Sequence, residues 1–119
     1  MGKDRSKMAR DFALAAANVA KERHCRDIAV LDLKDKSPAT DFFVIATGTS
    51  SRQMKAVADE TCRKCSRYEL QCFGRAGYLQ SRWILLDFID VVVHIFDEQY
   101  RKYYDLELLW GDAERLEVK

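Results

Sequence analysis

Residues 83–96, WILLDFIDVVVHIF, restrict the fold more than any other part of the chain. They read as two antiparallel strands joined by a tight turn. If Asp87 faces Asp90 across that turn, Leu85 meets Val92 and Trp83 meets His94. Ile84, Leu86, Val91, Val93 and Ile95 then share one wholly aliphatic face, which must be core. The other face carries Trp83, Leu85, Asp87, Asp90, Val92 and His94. Acids and aromatics mixed with aliphatics suit a surface that another protein covers part of the time.

The rest of the chain supplies layers for that hairpin. Met8, Phe12, Ala15, Ala16 and Val19 recur at helical spacing behind Ser6, a capping residue type, so residues 6–24 are expected to form an amphipathic helix. Residues 27–33, DIAVLDL, are a strand by β-branched and aliphatic content, and Lys34 to Pro38 form a polar turn. The apolar run Asp41 to Thr47 predicts a central strand covered on both faces, ended by Gly48. Met54, Val57, Ala58, Thr61, Cys62 and Cys65 mark a second amphipathic helix from Ser51 to about Tyr68. Residues 69–74 read as a short strand and 75–82 as a loop containing Gly77. A last helix is expected from Asp97 or Glu98 through Tyr100, Tyr103, Tyr104 and Leu108 toward Trp110, stopped by Gly111. The polar tail, 114–119, is expected to be disordered. These elements predict one α/β (α+β) domain over residues 1–119, with a mixed sheet flanked by helices.

Composition limits the function classes. The 119 residues carry 20 Lys plus Arg against 19 Asp plus Glu, so the net basic field of a nucleic-acid binder is missing. No apolar run approaches the roughly 20 residues of a membrane span. The alanine-rich start is interrupted by Asp11 and Asn18 and is not read as a signal peptide. Four cysteines without an export signal predict reduced thiols in a bacterial cytoplasm.

Several constellations could carry chemistry. Gly48, Thr49, Ser50 and Ser51 follow a buried strand and open a helix, where backbone amides can hold a phosphate. The plainer account is a turn at Gly48 and a cap from Ser50 or Ser51. A nucleotidyltransferase-like enzyme built on that turn would need neighbouring strand carboxylates for metal ions, yet Asp59 and Glu60 diverge in mid-helix. Asp87 and Asp90 are the remaining pair; they could hold a cation, face solvent, or meet a basic protein. Cys62 and Cys65 make a C-x-x-C spacing, but inside a continuous helix both sulfurs point inward, and no second C-x-x-C completes a zinc site. His94 has no nucleophile motif beside it. Among Tyr100, Tyr103 and Tyr104, at least one ring must be exposed, and Tyr104 is the choice. No metal or other cofactor is expected.

The strings DFFVIATGTSSRQ, RWILLDF with DVVVHIF, and YRKYYDLELLW together resemble the Iojap family of ribosomal silencing factors, a likeness that extends from the first helix to about Ala113. The resemblance implies a nucleotidyltransferase-like fold without catalysis. It also implies binding to the large ribosomal subunit at its fourteenth protein, steric obstruction of subunit joining, and homodimers. The family pattern places recognition on the hairpin beginning at Trp83 and on the last helix. Two departures stand out. Relatives tend to have Glu where this chain has Ala76, and Asp-Tyr-Gly-Asp where it has Asp87, Phe88, Ile89 and Asp90. Tight turns usually require positive φ, which a β-branched Ile resists. Either the turn uses negative φ or the loop is wider and the pairing shifts.

On this basis Trp83, Phe88 and Tyr104 are expected to be aromatic anchors, with His94 beside Trp83. Asp87, Asp90 and Glu107 are expected to face basic residues of the partner. The expected function is a non-catalytic translational repressor. The alternative is a nucleotide-binding enzyme using Gly48 to Ser51.

Overall fold

The structure, a computed structural model, describes residues 5–118. Helix α1 (Arg5–Glu22) leads into β1 (Arg26–Asp32) and β2 (Phe42–Thr47); α2 (Ser51–Lys64) continues as a 3-10 turn, Cys65–Tyr68. Then come β3 (Gly74–Ala76), β4 (Trp83–Asp87), β5 (Val91–Phe96), α3 (Glu98–Tyr103), α4 (Leu106–Leu109) and β6 (Glu114–Leu116). The six strands form one sheet in the order β3-β4-β5-β2-β1-β6, in which β2 and β5 run parallel and every other pair antiparallel. The mixed α+β sheet expected from the sequence is therefore present, with β2 near its centre and almost wholly buried.

Both faces of the sheet carry a core. On one, Ile84, Leu86, Val91, Val93 and Ile95 pack with Phe12 of α1 and with Met54, Val57 and Ala58 of α2. Helix α1 buries Ala9, Phe12, Ala13, Ala16, Ala17, Val19 and Ala20. Side chains this small let the helix axis approach the strands closely. On the other face a smaller core gathers Leu31, Leu33, Ile45, Phe96 and Ala113 under Tyr100, Leu106 and Trp110. Ser6 lies inside the first turn of α1 instead of capping it, and its hydroxyl accepts from Lys34 Nζ at 3.3 Å.

Four expectations are corrected. The tail is not disordered where it is described: Glu114–Leu116 pairs with β1 as an edge strand, and Leu116 and Val118 pack on the larger core. Residues 69–73 are not a strand, because Glu69 takes φ 60° and Leu70 N–H still bonds to Cys65 O at 3.1 Å, so the chain is turning there. Pairing begins only at Gly74, the last residue of the expected strand, and runs on through Arg75 and Ala76 into the stretch expected to be loop. The last helix is broken in two at Tyr104 and Asp105, where the Asp105 carboxylate accepts from Leu108 N–H at 3.1 Å and starts a new turn.

The hairpin register is the fourth. Leu85 pairs with His94, Trp83 with Phe96 and Asp87 with Val92, two residues away from the expected pairing. A shift of two keeps every side chain on its expected face. The cause is Phe88, which is buried in the main core with its ring edge-on to Phe12 at 4.7 Å between centroids. Phe88 thus belongs to the strand side of the turn, its N–H bonding to Val91 O at 2.9 Å, and Ile89 and Asp90 must make the turn. Ile89 does so at φ 70°, while Asp90 N–H reaches Phe88 O at 2.9 Å, a strained γ-turn. Burying a phenylalanine is worth roughly 2–3 kcal/mol. Left-handed backbone at an L-residue costs roughly 1–2 kcal/mol. The core wins, and the turn absorbs the strain.

Two outcomes follow in urea denaturation. Ile89→Gly removes the penalty and returns part of it as chain entropy, so it should stabilise the protein by about 0.5–1 kcal/mol; an unchanged or lower midpoint would show the turn is unstrained. Gly77→Ala should destabilise by about 3 kcal/mol or more. At φ +75° a Cβ on Gly77 would stand 2.0 Å from the Trp83 carbonyl oxygen.

Candidate functional site: a half-open aromatic sheet face

Odd-numbered residues of β4 and even-numbered residues of β5 point to the sheet face away from α1 and α2, together with Phe43 of β2. Helices α3 and α4 cover only part of that face. Trp83, Leu85, Asp87, Val92 and Phe43 stay half-buried at its open part. Trp83 stacks on Phe96 at 4.9 Å and touches the Tyr104 ring at 4.8 Å, and Tyr104 meets Tyr103 at 4.9 Å. A continuous aromatic track thus runs from the covered core out to solvent, where Tyr104 is 40 % and Tyr103 80 % exposed.

Beneath the track, the Trp83 indole N–H donates to His94 Nδ1 at 3.1 Å. That bond makes His94 the tautomer protonated on Nε2. Its Nε2 is buried with no hydrogen-bond partner. Burial pushes the imidazole down to about 4, so the ring is neutral at physiological pH. His94 is therefore a support for Trp83 and not itself a contact surface.

The position of α4 depends on Arg101. Its guanidinium bonds Thr47 Oγ1 at 3.0 Å and Glu107 Oε1 at 2.6 Å, and donates to the Asp27 carbonyl. Glu107 is also paired with Arg115.

The expected site residues separate accordingly. Trp83 and Tyr104 meet on the open face, and Asp87 shares that face at the other end of β4. Phe88 does not: it is buried in the main core, so the expectation that it anchors a partner is corrected. His94 lies under the face, 4 % exposed. Asp90 is held by Arg5 of α1 at 2.7 Å and does not face Asp87, whose Oδ1 instead accepts from Ile89 N–H at 2.8 Å. Glu107 is saturated by two arginines. Neither Asp90 nor Glu107 offers an unpaired charge to a basic partner. The acids that do are Asp87 and Asp105, which have no basic partner among the described residues. Sequence reasoning also missed the exposure of Leu108 and Leu109, 78 % and 70 %. The signal was Asp105 three residues before Leu108, a cap that ends any continuous helix.

The phosphate-binding alternative at Gly48 meets a filled site. The Ser50 hydroxyl caps α2 by accepting from Gln53 N–H at 3.1 Å, and Thr49 N–H is taken by Gln53 Oε1 at 2.6 Å. Asp97 and Glu98 line the same hollow, and the arginine there, Arg26, is already paired with Glu98 at 3.5 Å. The cysteines are free thiols, and burial pushes Cys25 to about 11 and Cys62 to about 12, so both stay protonated.

Fold and face together define a small α+β domain that presents aromatic rings at the open end of a sheet. Comparison with known proteins makes this more specific. Residues 6–119 match the family described as "Ribosomal silencing factor during starvation", and the chain belongs to that family. A ribosomal silencing factor from Halalkalibacterium halodurans is 38% identical over 104 residues, covering 87% of this chain and 89% of that protein. One from Haemophilus influenzae is 40% identical over 85 residues, 71% of this chain and 83% of that protein. The chloroplastic protein Iojap of maize is 36% identical over 107 residues, and the chain spans 46% of its length. A crystal structure from Chromobacterium violaceum superposes with a TM-score of 0.79 at 32% identity, covering 86% of this chain and 85% of that one. The bacterial relatives are named for silencing, a regulatory role, and not for a reaction. No helix among the described residues is long and apolar enough to cross a membrane.

His94 generates a pH prediction. Its unfolded value is near 6.5 and its folded value about 4, so between these the unfolded chain binds a proton the folded one refuses. Stability is therefore full above pH 6.5 and falls as pH drops toward 4, by about 3 kcal/mol. His94→Asn, whose amide oxygen can still accept from Trp83, should flatten that slope in denaturant titrations across the window. An equally steep slope in the variant would assign it to other groups.

Proposed function

We propose that the protein represses translation by seating its aromatic sheet face on the large ribosomal subunit, at the fourteenth large-subunit protein. Its bulk then keeps the small subunit from joining. The observation that carries this reading is the track from Trp83 to Tyr103: large rings at the edge of a core, wetted on one side, are the composition of an interface centre. Family membership supplies the ribosome as the partner. Asp87 and Asp105 supply unpaired negative charge at the rim for a basic protein surface. The same face suits a second copy of the chain, so a homodimer would hide it until a ribosome competes. The cytoplasm, where ribosomal subunits join, is where it would act.

Sedimentation with isolated subunits tests the reading. The wild-type protein should travel with large subunits and exclude small ones. Tyr104→Ala should cost about 2 kcal/mol of binding, roughly thirtyfold, with little change in melting temperature because the ring is partly exposed. Trp83→Ala should cost at least as much. Asp87→Asn should chiefly reduce the dependence on salt. Migration with the small subunit, or with neither, would overturn the proposal.

A further inference from the structure

The near-zero net charge does not preclude a local excess of one sign. On α2, Arg52, Lys55, Asp59 and Arg63 fall on one outward stripe at helical spacing. The single acid in that stripe is spent: Asp59 accepts from Arg75 Nη2 at 2.7 Å and from the Tyr78 hydroxyl at 3.0 Å. Those bonds, the Arg75 bond first among them, hold its carboxyl below the usual range, and Arg63 adds to the effect. The other acid of α2, Glu60, is taken by Arg23 at 2.8 Å and Lys64 at 3.3 Å. Arg52, Lys55 and Arg63 are left with no carboxylate partner among the described residues. Moreover, the Arg75 guanidinium and the Lys55 ammonium both sit against the Tyr78 ring, 4.5 Å and 5.4 Å from its centroid. Two like charges on one tyrosine, with a third close by and one acid among them, make a local excess that helix surfaces ordinarily balance with acids one turn away. Lys7 with Asp11 and Lys64 with Glu60 show that ordinary balance elsewhere in this chain.

We propose that this stripe is a second docking surface, for the sugar-phosphate backbone of structured RNA. Phosphates supply the missing anions, and the Tyr78 ring between Arg75 and Lys55 adds an aromatic edge against which a base or ribose can pack. Arg52 and Arg63 stand three helical turns apart, roughly 16 Å, which spans several phosphates rather than one bound ion. Arg75 is fixed by Asp59, so part of the surface is preorganised. Because α2 packs on the sheet face opposite the aromatic track, both surfaces can be engaged together, one by protein and the other by the RNA in which ribosomal proteins are bedded. The inference rests on the proposed ribosome docking only in taking that RNA to be ribosomal.

Fluorescence anisotropy of the full-length protein with a labelled RNA hairpin of about sixteen base pairs tests it without a ribosome. Binding at about 50 mM salt should weaken roughly thirtyfold by 200 mM, as for about three phosphates neutralised. Arg52→Gln with Arg63→Gln should lose about tenfold in affinity and lower the logarithmic salt slope by nearly two, while Arg52→Lys with Arg63→Lys retains both. Matched melting curves show that the variants are folded. Tyr104→Ala should bind the hairpin as wild type does even where it loses the subunit, so failure of one surface is distinguishable from failure of the other. No hairpin binding by the wild type, equal binding by the glutamine variant, or binding to phosphatidylglycerol vesicles in place of RNA would each overturn the proposal.

Discussion

The hydrogen bond from the Trp83 indole to His94 Nδ1 is the contact on which the functional face depends. Trp83 lies on the sheet face opposite the main core, with α3 and α4 covering only part of it. A ring in that position would gain by rotating onto any nearby apolar surface. The bond instead fixes it in the plane of contact with Phe96 and Tyr104. The support is itself dry: His94 is wedged against Phe43 at 4.5 Å and stays neutral because burial disfavours its charged form. An interface anchor held in its bound orientation loses little freedom when a partner arrives, which is where preorganised surfaces gain affinity.

A second set of contacts controls how much of the face is left open. Arg101 ties the end of α3 to Thr47 and to Glu107, and Asp105 starts α4 after a break in the helix. A straight helix through Trp110 would have carried Leu108 and Leu109 along one cylinder. The break leaves them exposed to solvent, while Trp110 and Leu106 fold back onto the smaller core. The same carboxylates that sequence inspection assigns to a partner, Glu107 and Asp90, are used internally to hold α4 and the hairpin turn in place. Unpaired negative charge remains at Asp87 and Asp105, and unpaired positive charge on the far side along α2.

Much of this was legible in the residues. Periodicity located both long helices, and the unbroken apolar run of β2 marked it as central, because only a strand buried on both faces can dispense with alternation. The aliphatic and mixed faces of the hairpin were assigned correctly even though the register was off by two, since parity survives such a slip. What escaped was decided by tertiary competition. Nothing local says that Phe88 will enter the core and force Ile89 into left-handed backbone; that depends on Phe12 of α1, far away in sequence. Nor does composition reveal which acids are already paired, as the bridges from Arg5 to Asp90 and from Arg115 to Glu107 are set by the fold. Short β6 was hidden because an edge strand of three residues carries almost no pattern. The Asp105 cap, by contrast, was readable and shows that a good capping residue inside a helical pattern is to be weighed as a stop.

The central claim is that the aromatic track is the surface a ribosome covers. Hydroxyl-radical footprinting of the protein, free and bound to isolated large subunits, measures this directly, because oxidation of tryptophan and tyrosine rings reports solvent access residue by residue. The account predicts that Trp83, Tyr103 and Tyr104 are modified in the free monomer and protected in the complex. Phe88, buried in the main core, should be unreactive in both. Strong modification of Tyr103 and Tyr104 that persists in the saturated complex, with protection appearing only elsewhere, would contradict it.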